Sequence, residues 1–561
     1  MSNYQVARQE VAELIRVNYK ELIRVLYKIK VESSYSSFEI PKKNGGARVI
    51  YAPNNRLKVI QRNLYQALNR IHDAYIKEKN IKLRVSHGFE PGRTIITNAR
   101  LHRNKKFLLN MDISNFFPSF NFGRVQGFFH KSREFGFSKE ISTIIAQLVC
   151  YNGILPQGAP TSPIIANLIF NIVDRRILSL AKKYKLVYTR YADDMSFSTN
   201  NKEFKEKYVE FIRELKDLLE KNGFEINHNK TRLKYCISRQ DVTGLTVNKK
   251  INASREFIDK TRAMADQLYR TNRFQINGEE GKLDQLEGRF SFINQLDWFN
   301  NKYESKITNS KIKKRYNSGL NVREKQYQYF LFYKYFFNPH KATIVTEGKT
   351  DILHIKAALM KYHVRYPNLI VKNTDGTYEF KVCFLNKTKR LEFFLGLSID
   401  GADSMKNIWN FYNGKSNCNN IFEYLNKKNK EQIINKVNPV ILLFDNEQKS
   451  DKPLKKFLNY IKTDLEKNQI RKNLNNNLYL QTIPLVKDRE ECEIEDLYQE
   501  ELLNLIIGGK QFSKDEKADP EYYFGKAIFS KYILDHYNEI NFSNYIELLD
   551  SINYICENHS I

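Results

Sequence analysis

Two adjacent aspartates, Asp193 and Asp194, lie in the stretch YTRYADDMSF (188–197), between runs of residues that are typical of half-buried strands. A third, Asp112, stands near the end of the apolar run FLLNMDI (107–113). Carboxylates from different strands repel one another when a sheet brings them together, unless a cation lies between them. Mg²⁺ suits such a place, because a few carboxylates and the substrate phosphates hold it. Two Mg²⁺ ions could polarise the attacking hydroxyl and the leaving pyrophosphate of an in-line displacement.

A loop between these two segments adds to the pattern. LPQGAPTSP (155–163) places Gly158 among prolines and small residues, just before a predicted helix. Glycine lets the backbone approach a ligand closely, and the start of a helix favours a phosphate group. Taken singly, each aspartate could be a turn or cap residue, and the loop an ordinary loop–helix junction. The combination of the three segments favours a metal-dependent reaction at phosphate.

The order of the segments resembles the successive palm motifs of reverse transcriptases. D-I-x-x-F-F occupies 112–117, L-P-Q-G-x-x-x-S-P occupies 155–163 and Y-A-D-D occupies 191–194. GFEINHNKTRL (223–233) resembles the next palm motif. The resemblance implies that Asp112, Asp193 and Asp194 are the catalytic residues and the ligands of a two-Mg²⁺ site, with Asp194 the less direct ligand.

The same resemblance assigns roles in binding deoxynucleoside triphosphates and template. Phe117 would exclude a ribose 2′-OH, although core packing is the alternative for this side chain. Gln157 and Gly158 would line the pocket of the template nucleotide. Arg48 and Lys58, in a fingers-like segment, would contact the incoming triphosphate.

Two shorter strings narrow the family. N-A-x-x-H supplies Asn98 and His102, and V-T-G supplies Val242, Thr243 and Gly244. Singly, His102 could be a surface histidine and VTG a plain strand. Together they resemble the signatures of retron reverse transcriptases, over residues 20–315. Such enzymes use a structured non-coding RNA (msr–msd) as template and primer. They make a single-stranded DNA (msDNA) that in most members starts at the 2′-OH of an internal guanosine.

A second set of acids follows buried strands in the other half of the chain. Glu347 ends ATIVTE (342–347) and begins the string E-G-x-x-D, which closes at Asp351. PVILLF (439–444) leads into Asp445-Asn446-Glu447. Acids at the ends of neighbouring parallel strands can converge on one edge of a sheet and bind Mg²⁺.

These strings resemble the motifs of TOPRIM domains, with Glu447 where an aspartate is usual. The resemblance implies catalytic Glu347, Asp445 and Glu447, and a separate Mg²⁺ or Mn²⁺ held by these three and Asp351. LSIDGAD (397–403) would supply an intervening loop with Gly401 and Asp403. EIEDLY (493–498) would either add Glu495 to the same edge or simply begin a charged helix.

The whole chain resembles retron reverse transcriptases fused to a TOPRIM effector. Such systems are associated with bacterial anti-phage defence, and the TOPRIM domain would act as a nuclease on a cellular nucleic acid. The resemblance implies that the RNA–DNA product and the polymerase hold the effector inactive until infection. It also implies a place in the bacterial cytoplasm and is compatible with a homo-oligomer.

The elements that must position these residues predict a multidomain α/β and α+β chain. Residues 1–35 and 56–80 are predicted to be helical, and FEIPKKNGGARVIYAP (38–53) is predicted to form a β-hairpin with Asn44-Gly45 at the turn. Strands alternate with helices over 107–248, whereas 250–335 is mostly helical, basic and aromatic. The predicted parts are a right-hand polymerase with fingers and palm (1–245), a helical thumb (246–335), a TOPRIM α/β domain with a parallel sheet (336–500), and a C-terminal extension (501–561) without a recognisable motif.

Composition bounds the function. The 561 residues carry 91 Lys and Arg against 63 Asp and Glu, a net charge of +28, and 13% are aromatic. This excess favours nucleic acid as a partner, although a generic basic protein is an alternative. The six scattered cysteines argue against a disulfide framework or a zinc ribbon. With no apolar run near 18 residues, we expect an intracellular protein that contacts no membrane.

Two other functions stay open. A group II intron-like reverse transcriptase would share the palm motifs, but should carry a maturase extension. An RNA-binding scaffold with a non-catalytic TOPRIM domain would use the acids only to organise folding.

Overall fold

A computed structural model describes residues 2–41, 45–81, 85–304, 316–398, 404–430, 437–449, 451–466, 469–486, 489–515 and 517–559. The chain divides into two compact units, Met1–Ser254 and Arg255–Ile561. Within the described ranges, no helix is both long and apolar enough to cross a membrane. Two predicted features, the turn residue Asn44 and the loop residues Gly401 and Asp403, lie outside the described residues.

The helices of the first unit mostly begin at side-chain caps, in which an Asn, Ser or Thr accepts a backbone N–H. Asn54 caps the helix predicted for 56–80, and Thr94 forms a capping box at the short helix that carries Asn98. The predicted N-terminal helix is divided in three, the third part being π-helical, Arg24–Lys30. The α-helices are α1 Asn3–Leu14, α2 Tyr19–Ile23, α3 Asn55–Glu78, α4 Ile95–Leu101, α5 Phe122–Lys131, α6 Lys139–Val149, α7 Ser162–Lys183 and α8 Phe204–Lys221.

A five-stranded antiparallel sheet forms the centre of the first unit. Its strands run in the order β4-β5-β3-β6, with β7 also paired to β3. Separate hairpins pair β1 with β2 and β8 with β9, and the first confirms the hairpin predicted near residue 45. The strands are β1 Tyr35–Pro41, β2 Ala47–Pro53, β3 Phe107–Ser114, β4 Val187–Tyr191, β5 Asp194–Thr199, β6 Glu225–Ile226, β7 Arg232–Tyr235, β8 Asp241–Val242 and β9 Leu245–Thr246.

The core of the first unit packs helices against one face of this sheet. Strand β3 is buried at most positions, and α7 supplies a long buried stripe. Aromatic rings fill the space between them, with Phe116, Phe120, Phe170 and Phe224 in mutual edge contacts. This packing supports β3, which carries Asp112.

The second unit begins with three helices that correspond to the predicted thumb. They share one hydrophobic core with the helices that follow, since Leu268 and Phe330 belong to the same buried cluster as Phe394 and Leu442. The division between thumb and TOPRIM domain near residue 335 therefore stays a prediction. The helices are α9 Arg255–Thr271, α10 Leu283–Glu304, α11 Val322–Phe332, α12 Asp351–Lys361, α13 Lys389–Leu395, α14 Lys406–Asn413, α15 Ile421–Lys428, α16 Pro453–Ile461, α17 Glu500–Leu503, α18 Lys526–Asp535 and α19 Ile546–Asn558.

The main sheet of the second unit is mixed, in the order β15-β12-β16-β18-β17. Strand β12 is parallel to β15 and β16, β16 is parallel to β18, and β17 runs antiparallel. The strands are β10 Gln275–Ile276, β11 Glu279–Glu280, β12 Thr343–Val345, β13 Ile370–Lys372, β14 Tyr378–Phe380, β15 Cys383–Phe384, β16 Val440–Phe444, β17 Arg471–Asn475, β18 Leu478–Thr482, β19 Ile506–Ile507, β20 Lys510–Phe512 and β21 Tyr523–Phe524.

Candidate active sites

The central sheet of the first unit brings the three predicted aspartates together. Asp112 on β3 lies directly opposite Asp194 on β5 in the antiparallel register. Asp193 occupies the turn between β4 and β5, and its carbonyl accepts the backbone N–H of Ile113 at 3.1 Å. Three carboxylates from segments 81 residues apart in the sequence thus meet at one end of the sheet.

The electrostatics of this cluster disfavour three negative charges. Desolvation, followed by repulsion from Asp193 and Asp112, raises the pKa of Asp194 to about 7. Desolvation and repulsion from Asp112 also raise the pKa of Asp193, while the nearby cations of Lys230 and Arg48 lower it. Added positive charge would therefore stabilise the ionised cluster.

Two residues that the sequence did not single out contact Asp112. The Lys230 ammonium donates to Asp112 Oδ2 at 2.8 Å, and the Asn227 amide donates to Asp112 Oδ1 at 3.3 Å. The pKa of Lys230 is raised, mainly by this bond to Asp112. Both lie in GFEINHNKTRL, so the palm-like string was the signal available in the sequence.

The turn between β4 and β5 is strained, and a hydrogen bond from Arg190 braces it. Ala192 has a φ of +56°, which costs a residue with a Cβ on the order of 1–2 kcal/mol. The fully buried Arg190 donates to the Ala192 carbonyl at 2.9 Å. The same guanidinium makes an ion pair with buried Asp174 at 2.8 Å. A rigid turn would hold Asp193 and Asp194 without movement during the reaction.

The predicted template-pocket loop lies against the β1–β2 hairpin. The Tyr51 backbone N–H donates to the Gln157 carbonyl at 2.7 Å. Gly158 has a φ of +118°, and a Cβ at this position would lie 2.6 Å from the Tyr51 carbonyl oxygen. Glycine is required here because another strand, rather than a ligand, approaches the backbone.

The remaining nucleotide-binding candidates occupy different environments. Arg48 on β2 is close enough to Asp193 to lower its pKa. Phe117 is partly buried and packs edge-on against Phe116. Lys58 lies partly exposed on α3, and no contact within the described ranges links its side chain to the aspartates.

The residues of the two retron-like strings lie at α4 and in the β8–β9 hairpin. Asn98 and His102 are buried at the C-terminal part of α4, with 1% and 0% exposure. Thr243 and Gly244 form the turn of the β8–β9 hairpin, with Val242 buried before it. Asn98, His102 and Val242 are therefore interior residues, whereas Thr243 is half-buried and Gly244 is exposed.

The carboxylates suit Mg²⁺ by their chemistry, since hard oxygen donors in a mutually repulsive group prefer a hard dication. Asp194 is within hydrogen-bonding reach of Asp112, which supplies a pair of donors. As placed, no three Asp, Glu, His or Cys side chains of the described ranges are arranged to hold a metal ion. Lys230 instead holds Asp112, and binding a cation would require this contact to rearrange.

The second acidic group lies where β12 and β16 end. The Asp445 backbone N–H donates to Glu347 Oε1 at 3.0 Å, so neighbouring parallel strands bring these acids together. Asp351, at the start of α12, accepts the Gly348 N–H at 2.8 Å. Desolvation and the neighbouring acids Asp351 and Glu447 raise the pKa of Glu347 to about 7. Desolvation and repulsion from Glu347 also raise the pKa of Asp445.

Lysines surround this second group. Lys452 pairs with Glu447 at 2.5 Å. Lys526 donates to Glu493 and Glu495 at 3.1 Å each, and Glu495 is fully buried. Glu495 thus lies in a 3₁₀ turn near the same edge, and Lys526 comes from the C-terminal segment in which the sequence offered no motif.

Comparison with known proteins shows what the first part of the chain is similar to. Residues 40–262 match the family model described as reverse transcriptase (RNA-dependent DNA polymerase). The chain is 34% identical to the retron Mx65 reverse transcriptase of Myxococcus xanthus, over 47% of this chain and 61% of that one. It is 32% identical to the retron Ec86 reverse transcriptase of Escherichia coli, over 48% and 78%. A solved telomerase from Candida tropicalis is 15% identical, covers 53% of this chain and 60% of that one, and has a TM-score of only 0.31.

The matched region and the paired aspartates define a reverse-transcriptase fold of mixed α/β content. The chain belongs to the retron reverse transcriptase family. It spans about three fifths of the length of the two Myxococcus relatives, 61% and 59%.

Proposed function

We propose that this chain is an RNA-directed DNA polymerase that copies its own structured msr–msd RNA into single-stranded DNA, with deoxynucleoside triphosphates as substrates. The observation that carries the proposal is the placement of Asp112 opposite Asp194, with Asp193 in the adjoining turn. Family membership supplies the template and primer class. The net charge of +28 favours a long phosphate-rich partner.

Each residue around the aspartates would have a separate task. Asp112, Asp193 and Asp194 would hold two Mg²⁺ ions, which would activate the primer hydroxyl and neutralise the leaving pyrophosphate. Lys230 would favour the ionised form of the cluster before the ions bind, because its charge lowers the pKa values of Asp193 and Asp194. The position of Arg48 near Asp193 suits a contact to the triphosphate.

Recognition of sugar and template would fall to three further residues. Phe117 would bar a 2′-OH from the nucleotide pocket. Gln157 and Gly158 would line the template pocket, which the contact with Tyr51 holds in shape. Lys58 would add a second cation to the triphosphate.

An incorporation assay tests the polymerase. Purified protein with RNA template, primer and labelled deoxynucleotides should extend the primer, and D193N should abolish extension. D217N, which removes a charge from α8, is the matched control and should extend normally. Equal synthesis by D193N and wild type would contradict the proposal.

We further infer that residues 336–500 form a TOPRIM domain that acts as a metal-dependent nuclease effector in anti-phage defence. The contact between Glu347 and Asp445 at the ends of parallel strands supports it. Glu347, Asp351, Asp445 and Glu447 would hold Mg²⁺ or Mn²⁺, for which carboxylates are suitable donors. The target would be a cellular nucleic acid, and bound RNA–DNA product would restrain the effector.

A single substitution separates the two activities. E347Q should remove toxicity or phage protection while DNA synthesis continues. E392Q, at an exposed position of α13, is the control and should leave protection intact. If E347Q changes neither cleavage nor protection, a non-catalytic role for the second half gains support.

A further inference from the structure

The string N-A-x-x-H places two polar side chains, Asn98 and His102, in the protein interior. His102 and its two hydroxyl partners, Thr189 and Ser198, are between 0% and 1% exposed. Buried polar groups are almost always hydrogen-bonded, and a network of them has a defined donor and acceptor order. The donor and acceptor order around His102 determines which ring nitrogen carries the proton.

The hydrogen bonds define one tautomer of His102. The Thr189 hydroxyl donates its single proton to Asn98 Oδ1 at 2.5 Å, so it accepts a proton from His102 Nε2 at 2.7 Å. His102 Nδ1 is then the acceptor of the Ser198 hydroxyl at 2.7 Å. Burial lowers the pKa of His102 to about 3, so the ring is neutral at any physiological pH.

The two hydroxyls belong to the two strands of the YADD hairpin, defined here as β4 and β5 with their turn. Thr189 on β4 precedes Asp193 by four residues, and Ser198 on β5 follows Asp194 by four. One imidazole therefore links both strands from the same side. The link joins the middle of β4 to the part of β5 that lies away from the turn.

The VTG hairpin extends this support to the third aspartate. The Thr243 hydroxyl donates to the Ile95 carbonyl in α4 at 3.4 Å. Asn110 on β3, two residues before Asp112, donates to the Asp241 carbonyl at 2.7 Å. Helix α4 thus lies between the YADD hairpin and a hairpin that is bonded to β3.

We propose that His102, oriented by Asn98, is a positioning residue of the polymerase site, which holds the two strands of the YADD hairpin at a fixed offset and so sets where Asp193 and Asp194 lie against Asp112. This inference rests on the proposed polymerase function. A displacement near 1 Å of catalytic groups can slow a reaction about a hundredfold. The loss should therefore appear in kcat rather than in substrate binding.

Replacement of His102 tests the proposal in the full-length protein. H102F keeps an aromatic ring but neither hydrogen bond, and kcat for incorporation should fall about tenfold to hundredfold. KM for deoxynucleotides and Kd for the template RNA should stay within about twofold. The kcat values of H102Q and H102N should lie between those of wild type and H102F, because each amide can replace one ring nitrogen. T199V is the control. Thr199 follows Ser198 on β5, and this variant removes the hydrogen bond from its hydroxyl to the Lys185 carbonyl.

Several outcomes would overturn the proposal. One is a folded H102F with kcat within about twofold of wild type, and another is an equal loss in T199V. If H102F does not fold, T189V and S198A test the proposal instead, since each removes a single hydroxyl. A reduced kcat at an unchanged Tm would support the proposal. A wild-type kcat in both variants would overturn it. Should D193N extend primers as wild type does, the proposed polymerase itself fails, which is a separate result.

Discussion

At the scale of single residues, the ion pair between Lys230 and Asp112 offsets part of the negative charge of the proposed polymerase site. Lys230 is also among the groups that lower the pKa values of Asp193 and Asp194. The family strings predicted that the three aspartates belong to one site, because the spacing and order of the motifs can be read from the sequence alone. The lysine was not predicted, since one basic residue among 91 gives no signal until the fold brings it to a carboxylate.

Replacing Lys230 should make the polymerase depend more strongly on pH. In K230M the pKa of Asp194 should rise further above about 7, so that more of the carboxyl is protonated at neutral pH and Mg²⁺ binds less tightly. The acid limb of the pH–rate profile should move to higher pH, with activity recovering near pH 8.5. K230R should resemble wild type, and superimposable profiles for K230M and wild type would contradict this role.

Burial of His102 should make the protein sensitive to acid. Its pKa is about 3 in the folded state and near 6.5 when unfolded, so only the unfolded chain binds the proton between these values. The free energy of unfolding should therefore fall as the pH drops from 6.5 towards 3, by up to about 1.4 kcal/mol per pH unit for this group. Below about pH 3 the dependence ends.

A comparison with H102Q isolates the contribution of His102 to this pH dependence. Asp194 acts in the opposite direction between pH 4 and 7, because its folded pKa is raised. The slope of unfolding free energy against pH should be smaller in H102Q than in wild type, as measured by chemical denaturation. Equal slopes would show that the histidine is not buried as described.

At the scale of elements, the contact between the β1–β2 hairpin and the LPQG loop fixes the position of Gln157 and Gly158. The turn signal and the alternation predicted this hairpin, and helices such as α3 and α8 follow from their apolar stripes. Strand order could not be predicted, because the pairing of β3 with both β5 and β7 joins segments far apart in sequence. The role of Gly158 depends on that packing.

Alanine at Gly158 should separate the loop from the hairpin. In G158A the Cβ would meet the Tyr51 carbonyl at 2.6 Å, so the bond from Tyr51 to Gln157 should break. G153A is the control, because Gly153 also has positive φ but has nothing within 4 Å of a Cβ. G158A should cost about 1–3 kcal/mol more in unfolding free energy and should raise the error rate of template copying. Equal effects of both variants would argue against the close approach.

At the scale of the whole molecule, the C-terminal segment is part of the second unit rather than an appendage. Phe529 on α18 is fully buried in the same cluster as Ile355 on α12 and Leu443 on β16. Composition could not predict this, since residues 501–561 carry no recognisable motif. The strand-end acids were predictable because both follow short buried runs.

Truncation of Phe529 should destabilise the second unit. F529A should lower its unfolding free energy by about 3–5 kcal/mol and make residues 336–500 sensitive to protease. The adjacent Ile528 is 52% exposed, and I528A should have little effect. Equal protease sensitivity of the two variants would show that the segment is not part of this core.

The nucleic acid that the protein carries tests the central claim most directly. The protein should be purified from its host, together with its D194N variant, and the bound nucleic acid sequenced. Wild type should carry a short single-stranded DNA joined by a 2′–5′ linkage to a structured RNA, and D194N should carry the RNA without DNA. Cellular RNA with no DNA in the wild type, or the same DNA in D194N, would contradict an account in which these aspartates make DNA on the protein's own RNA.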